Sequence, residues 1–150
     1  MSLDNQIKEL EDVILYHNQT NHKVSTKNVG WHIDHAFRVI IAVTHALKQS
    51  NPKGYRYSFH WGRQLMLLTG SIARGKAKAP RMVIAKRDVN SKSLEVIHRL
   101  TKEAFTDLQK LDPKAHFRHQ YIGRINTQQS IRFLEIHTKH HLKIIQEILA

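Results

Sequence analysis

Apolar residues return at alternating four- and three-residue steps along the first segment of the chain, at Leu3, Ile7, Leu10 and Ile14 and then His17, with Glu9, Glu11 and Asp12 between them. That period traces one face of an α-helix and predicts a first amphipathic helix over residues 3–19. A polar stretch at 20–27 interrupts it. The period resumes through Val29, Ile33, Ala36, Phe37, Ile40, Val43 and Leu47, then stops at Ser50-Asn-Pro-Lys-Gly, which cannot continue a helix. A shorter helix is expected at 59–73, with Trp61, Leu65, Leu68 and Ile72 turned to the core and Gly70 and Gly75 marking its end.

Residues 74–90 hold turn formers and the cations Arg74, Lys76, Lys78, Arg81, Lys86 and Arg87, with too few apolar positions for a helix. The segment reads as a long basic loop in which Met82-Val-Ile-Ala lies extended on the rest of the fold. A further helix is predicted at 93–111, with Leu94, Ile97, Ala104, Phe105, Leu108 and Leu111 inside and Asp112-Pro113 ending it. Residues 114–126, with His116, His119, Tyr121 and Gly123, read as another loop. The last helix starts at Asn126 or Thr127, where Gln129 can answer an Asn126 cap. Its stripe is Ile131, Leu134, His137, Thr138, His141, Ile144, Ile145 and Ile148. Four long amphipathic segments and one short one, without strand alternation, predict an all-α fold. The expected architecture is an antiparallel four-helix bundle with an extra short helix and a long basic loop, one domain over residues 1–150.

Composition then narrows the chemistry. The chain has no cysteine, which excludes disulfides, thiolate nucleophiles and sulfur-ligated metals, so a transition-metal site must use nitrogen and oxygen ligands. No run approaches the roughly 18 apolar residues of a spanning helix, and the first residues lack the order of a signal peptide. A cytoplasmic protein without membrane association is expected. Lys+Arg 24 against Asp+Glu 12 gives a net charge of +12, a field that attracts anions of any size without naming one. The 12 histidines are spread along the chain, so their positions carry the argument.

On the last helix His137 and His141 fall within about 60° of Leu134, inside the apolar arc. One turn apart, their Cβ atoms are separated by about 5–6 Å, close enough for both imidazoles to reach one ion. Imidazoles so placed can also simply bond to helical carbonyls or to water. Trp31-His32-Ile33-Asp34-His35 on the second helix offers a third ring. Periodicity favours His32 slightly over His35. Asp34 and Glu135 fall on polar arcs and read as solvated or as partners standing behind the ligands, His45, His60 and His98 as surface or interface histidines, Trp61 as core, and Trp31 and Tyr121 as packing residues.

Three stretches carry a resemblance: Asn-Val-Gly-Trp-His-Ile-Asp-His-Ala-Phe-Arg-Val-Ile at 28–40, Ile-Ala-Arg-Gly-Lys-Ala-Lys-Ala-Pro at 72–80, and Arg-Phe-Leu-Glu-Ile-His-Thr-Lys-His-His-Leu-Lys-Ile-Ile at 132–145. In this order they resemble the DinB-like (YfiT-like) superfamily of metal-dependent proteins, in an uncharacterised branch, over nearly the whole chain. The resemblance implies a four-helix bundle in which one histidine of the second helix and a His-x-x-x-His pair of the last hold a divalent ion, zinc or nickel. It carries the pair onto His137 and His141 and the third ligand onto His35, seven residues after Asn28, with His32 as neighbour or alternate. The family's His-Pro-aromatic-x-Gly motif appears here as His119-Gln-Tyr-Ile-Gly123 without its proline.

Three neutral imidazoles leave an open coordination position, the arrangement of a catalytic site. The resemblance implies chemistry like that of thiol-dependent transferases and isomerases; the activity expected is a thiol-dependent transferase or a hydrolase acting on a small molecule, anionic or thiol-bearing, and the chain is expected to form a homodimer. The competing reading is a basic helical module that binds anions or nucleic acid without catalysis. No recognition helix or stacking platform accompanies its cations.

Overall fold

The computed structural model describes residues 1–75, 78–85 and 89–150. Lys76, Lys86 and Arg87 of the expected basic loop lie outside the described residues. Within them the protein is mostly helical with one two-stranded sheet: α1 (Leu3–Asp12), α2 (Val29–Lys48), α3 (Trp61–Thr69), α4 (Ser91–Leu108), β1 (His116–His119), β2 (Gly123–Asn126) and α5 (Thr127–Leu149).

Each long helix begins on a polar side chain that accepts an otherwise unmet backbone N–H. Ser2 serves α1, Asn28 takes the Trp31 N–H at 2.8 Å, and Asn90 and Asn126 form reciprocal capping boxes with Ser93 and Gln129. The Asn126–Gln129 pair is the start the sequence predicts for the last helix. Helices α1 and α2 each pack against both α4 and α5. Between them Leu3, Leu10, Ile33, Phe37, Ile40, Leu47, Leu94, Leu134 and Ile145 are sealed from solvent, and the buried apolar residues form one cluster running from Leu3 to Ile148. Full burial of one such side chain contributes about 1.5–3 kcal/mol, and this term holds the four helices together. No helix of the described residues is long and apolar enough to cross a membrane.

The first helix is shorter than its stripe. It ends at Asp12 and a 3₁₀ turn, Ile14–Tyr16, carries the buried Ile14 onward. The chain then passes against the start of α2, where the Gly30 N–H donates to the His17 carbonyl at 2.8 Å. A Cβ on Gly30 would stand 3.1 Å from both the Cβ and the carbonyl oxygen of His17, so any larger residue would push this segment back by a few tenths of an ångström.

The largest departure concerns α3. Its expected core face is outward: Trp61, Leu65 and Leu68 are 79%, 62% and 86% exposed, and only Ile72, beyond the helix end, is half-buried. The helix docks instead through Met66 and Arg63, whose side chain is fully buried. The Arg63 guanidinium donates to the Ser58 carbonyl and, at 2.6 Å, to the Arg124 carbonyl. Two backbone acceptors fix the rotation of a nine-residue helix that hydrophobic period alone leaves free to turn.

Residues 114–126, expected as a loop, form a hairpin in which Phe117 pairs with Ile125 and His119 with Gly123. Strands of four residues are too short to show alternation, and the positive φ of 72° at Gly123 makes the return. Met82-Val-Ile-Ala does dock, but as a 3₁₀ turn, Arg81–Val83, with Val83 buried and only Ile84 extended. In α4, Leu94, Ile97 and Leu108 are buried as expected while Ala104 and Phe105 are half-buried, as is Leu111 past the helix end. His98, expected at the surface or an interface, is buried against Phe37 with its Nδ1 3.4 Å from Glu11.

Candidate metal centre

The packing of α2 on α5 brings four imidazoles together across more than a hundred residues of sequence. One nitrogen each from His35, His137 and His141 lies within 4.8 Å of the others. These are the three residues that the resemblance implies, and His32 lies outside the group.

Hydrogen bonds set which nitrogen each ring can offer. His35 Nδ1 lies 2.9 Å from the Val83 carbonyl, which can only accept, so Nδ1 carries the proton and Nε2 keeps its lone pair. His141 Nδ1 lies 3.0 Å from His32 Nδ1, which leaves Nε2 as its free nitrogen. His32 Nε2 is in turn 3.0 Å from the Ser25 hydroxyl, which also accepts the Lys27 N–H at 3.0 Å. His137 Nδ1 is cut off from solvent and has no hydrogen-bond partner among the described residues. An orphaned buried nitrogen of this kind costs on the order of 1–3 kcal/mol.

Burial dictates the charge state. His137 and His141 are held well below the ordinary imidazole range, by loss of hydration first and then by neighbouring rings, His35, His140 and His119 for His137 and His137, His35, His32 and His140 for His141. His35 is lowered by burial although its bond to Val83 and the nearby Asp34 oppose the shift. His32 is pushed down to about 4 by burial, then by His35, His140 and Arg74. All four rings are therefore neutral near pH 7, the form that ligates a metal.

Aromatic walls close the cluster. The Trp31 indole lies parallel to the His35 ring, 5.0 Å between centroids and 12° between planes, with Lys27 Nζ 5.7 Å above the indole. Phe133, buried on α5, stands 5.6 Å from His137 and holds His119 edge-on at 4.7 Å on its other side. His119 is lowered to about 4 by burial, and its Nδ1 accepts the Tyr121 N–H at 3.1 Å. His140 is half-buried beside His141 and outside the three-nitrogen group.

The group holds no carboxylate. Asp34 is buried, and Arg38 engages both its oxygens at 2.6 and 3.2 Å. Glu135 is half-buried and meets Arg132 at 3.0 Å. Three contributors escaped the sequence: the Val83 carbonyl, the Ser25 hydroxyl and the Phe133 ring. Only the apolar Met82-Val-Ile-Ala inside a cationic segment hinted at the first.

Comparison of the chain with family models, with curated proteins and with solved structures finds no match.

Proposed function

We propose that the chain is a metal-dependent enzyme of DinB-like type, a four-helix bundle whose His35, His137 and His141 hold a divalent transition ion, zinc or nickel. The observation that carries this reading is the convergence of three neutral nitrogens within 4.8 Å from two helices, one of those rings having a nitrogen left without a partner. A shared ion satisfies the imidazole lone pairs and offsets the cost of burying polar rings side by side.

Three neutral ligands leave the ion's charge uncompensated and a position open. When bound, such an ion polarises a carbonyl, lowers the pKa of bound water towards ~7, or presents a thiolate. Nearby charge favours an anionic partner: the group has no carboxylate of its own, Asp34 is taken by Arg38, and Lys27 stands over the Trp31 wall. The reading is thus a transferase or hydrolase acting on a small anionic or thiol-bearing molecule.

Two measurements test it. Elemental analysis of protein purified without an affinity tag should find about one zinc or nickel per chain, lost on replacing His35, His137 or His141 by Ala and retained with His45→Ala. Conjugation of a low-molecular-weight thiol to a chromogenic electrophile, and hydrolysis of a chromogenic ester, should include one turnover that stops on chelation and returns with metal. Metal retained by His137→Ala, or turnover indifferent to chelation, would count against the proposal.

A further inference from the structure

The histidine that is not a ligand stands in an informative place. His32 is buried, offers one nitrogen to His141 at 3.0 Å and the other to Ser25 at 3.0 Å, and lies outside the three-nitrogen group. Two neutral imidazoles meeting Nδ1 to Nδ1 must share one proton, so the chain Ser25–His32–His141 can run in two directions. In one, the Ser25 hydroxyl donates to His32 Nε2 and His32 Nδ1–H donates to His141 Nδ1, which places a proton on His141 Nε2. In the other, His141 Nδ1–H donates to His32 Nδ1 and His32 Nε2–H donates to the Ser25 oxygen, which leaves a lone pair on His141 Nε2.

Only the second direction lets His141 ligate through the nitrogen that His32 does not occupy. The Lys27 N–H, 3.0 Å from Ser25 Oγ, pins the hydroxyl oxygen where His32 Nε2–H can reach it. His35 is fixed in the same sense by the Val83 carbonyl, so two of the three ligands have an acceptor on the far nitrogen. Resting on the metal-centre reading above, the geometry assigns His32, anchored by Ser25, as the positioning residue that holds His141 in the tautomer presenting Nε2 to the ion.

The test uses the full chain and Co²⁺ as probe, with affinity measured by competition against a chromophoric chelator and the site read from its visible absorption. Partners of this kind are worth about 10–100-fold in metal affinity. His32→Leu should weaken Co²⁺ by that factor. His32→Asn, whose side-chain oxygen can replace Nδ1 as acceptor, should recover most of the loss, and Ser25→Ala should lose less than His32→Leu. Long-range ¹H–¹⁵N spectra of the Zn²⁺-loaded chain should show His141 protonated at Nδ1. Because Ser25 lies at the edge of the core, Ser25→Ala keeps the question open to test should His32→Leu not fold. Co²⁺ affinity within twofold of wild type in both His32→Leu and Ser25→Ala, or His141 protonated at Nε2, would overturn the assignment. Loss in His32→Asn as complete as in His141→Ala would make His32 a ligand and overturn it too. Failure of the wild-type chain to bind Co²⁺ at all would instead remove the metal-centre reading on which the assignment rests.

Discussion

Trp31 and His35 lie four residues apart on α2 with their rings 12° from parallel and their centroids 5.0 Å apart, so the indole reports on the imidazole that faces the cluster. The chain has two tryptophans, and the other, Trp61, is exposed on α3. A Trp61→Phe variant therefore leaves Trp31 as the sole indole emitter. Addition of one equivalent of Co²⁺ or Ni²⁺ should quench that emission strongly, while a further His137→Ala change should leave it nearly constant. Emission that does not respond in Trp61→Phe would mean that no ion comes to rest beside His35.

Arg63 and Leu68 share α3 and should behave oppositely to their chemistry. Arg63→Ala strips donors from the Ser58 and Arg124 carbonyls and opens a cavity where the side chain is fully buried. Each buried group left unpaired costs on the order of 1–3 kcal/mol, so a loss of about 2–4 kcal/mol is expected. Leu68→Ser, at 86% exposure, should change stability by less than about 0.5 kcal/mol. Urea denaturation of the two variants checks the pair. The reverse ranking would mean that α3 docks by its apolar stripe after all.

That reversal shows where the sequence stops being legible. Long helices announce themselves because a stripe such as Ile33, Phe37, Ile40 and Leu47 repeats often enough to define one face, and caps such as Asn28 and Asn126 mark their starts. A nine-residue helix gives two turns of evidence, and at α3 two carbonyls capturing Arg63 outweigh the apolar stripe of Trp61, Leu65 and Leu68. The hairpin is hidden for the same reason, each strand having four residues. Of the candidate site, spacing on α5 shows that His137 and His141 share one face, a turn apart. Spacing does not choose between His32 and His35, because both are buried on α2 and only contacts from elsewhere separate them. Val83 takes His35 Nδ1, and Ser25 with His141 takes both nitrogens of His32.

The acid limb of stability follows from the buried rings. His32 in the folded chain is lowered to about 4 and His137 and His141 lie well below the ordinary value of 6.5, which the unfolded chain restores. Between those limits the unfolded state binds protons that the folded state refuses. Stability is therefore fully present above about pH 6.5 and is lost as pH falls towards 4, with a slope of up to ~1.4 kcal/mol per pH unit for each such ring. For the metal-free chain, urea midpoints should be level between about pH 7 and 8 and decline steadily below 6.5. Replacing His137 by Leu should make that decline shallower. A flat profile down to pH 5 would mean that these imidazoles are already charged, or solvated, in the folded state.

Metal removal should be visible in the same observable, because an ion that binds only the folded chain stabilises it by mass action. At free metal about 100-fold above Kd the gain is ~2.7 kcal/mol. For a chain of this length each kcal/mol moves Tm by about 2–4 °C, so chelation should lower Tm by about 5–10 °C. The shift should grow with the logarithm of free metal, vanish in His35→Ala, His137→Ala and His141→Ala, and persist at reduced size in His32→Leu. It should also persist below pH 6.5, since protons compete with the ion for the same three nitrogens only where those rings charge in the folded chain, which burial holds well below the ordinary imidazole range, and the loaded and stripped curves converge there. A chelator effect equal in wild type and in His141→Ala would locate the ion somewhere other than between α2 and α5, and the cluster would then be a neutral histidine core with no ligand of its own.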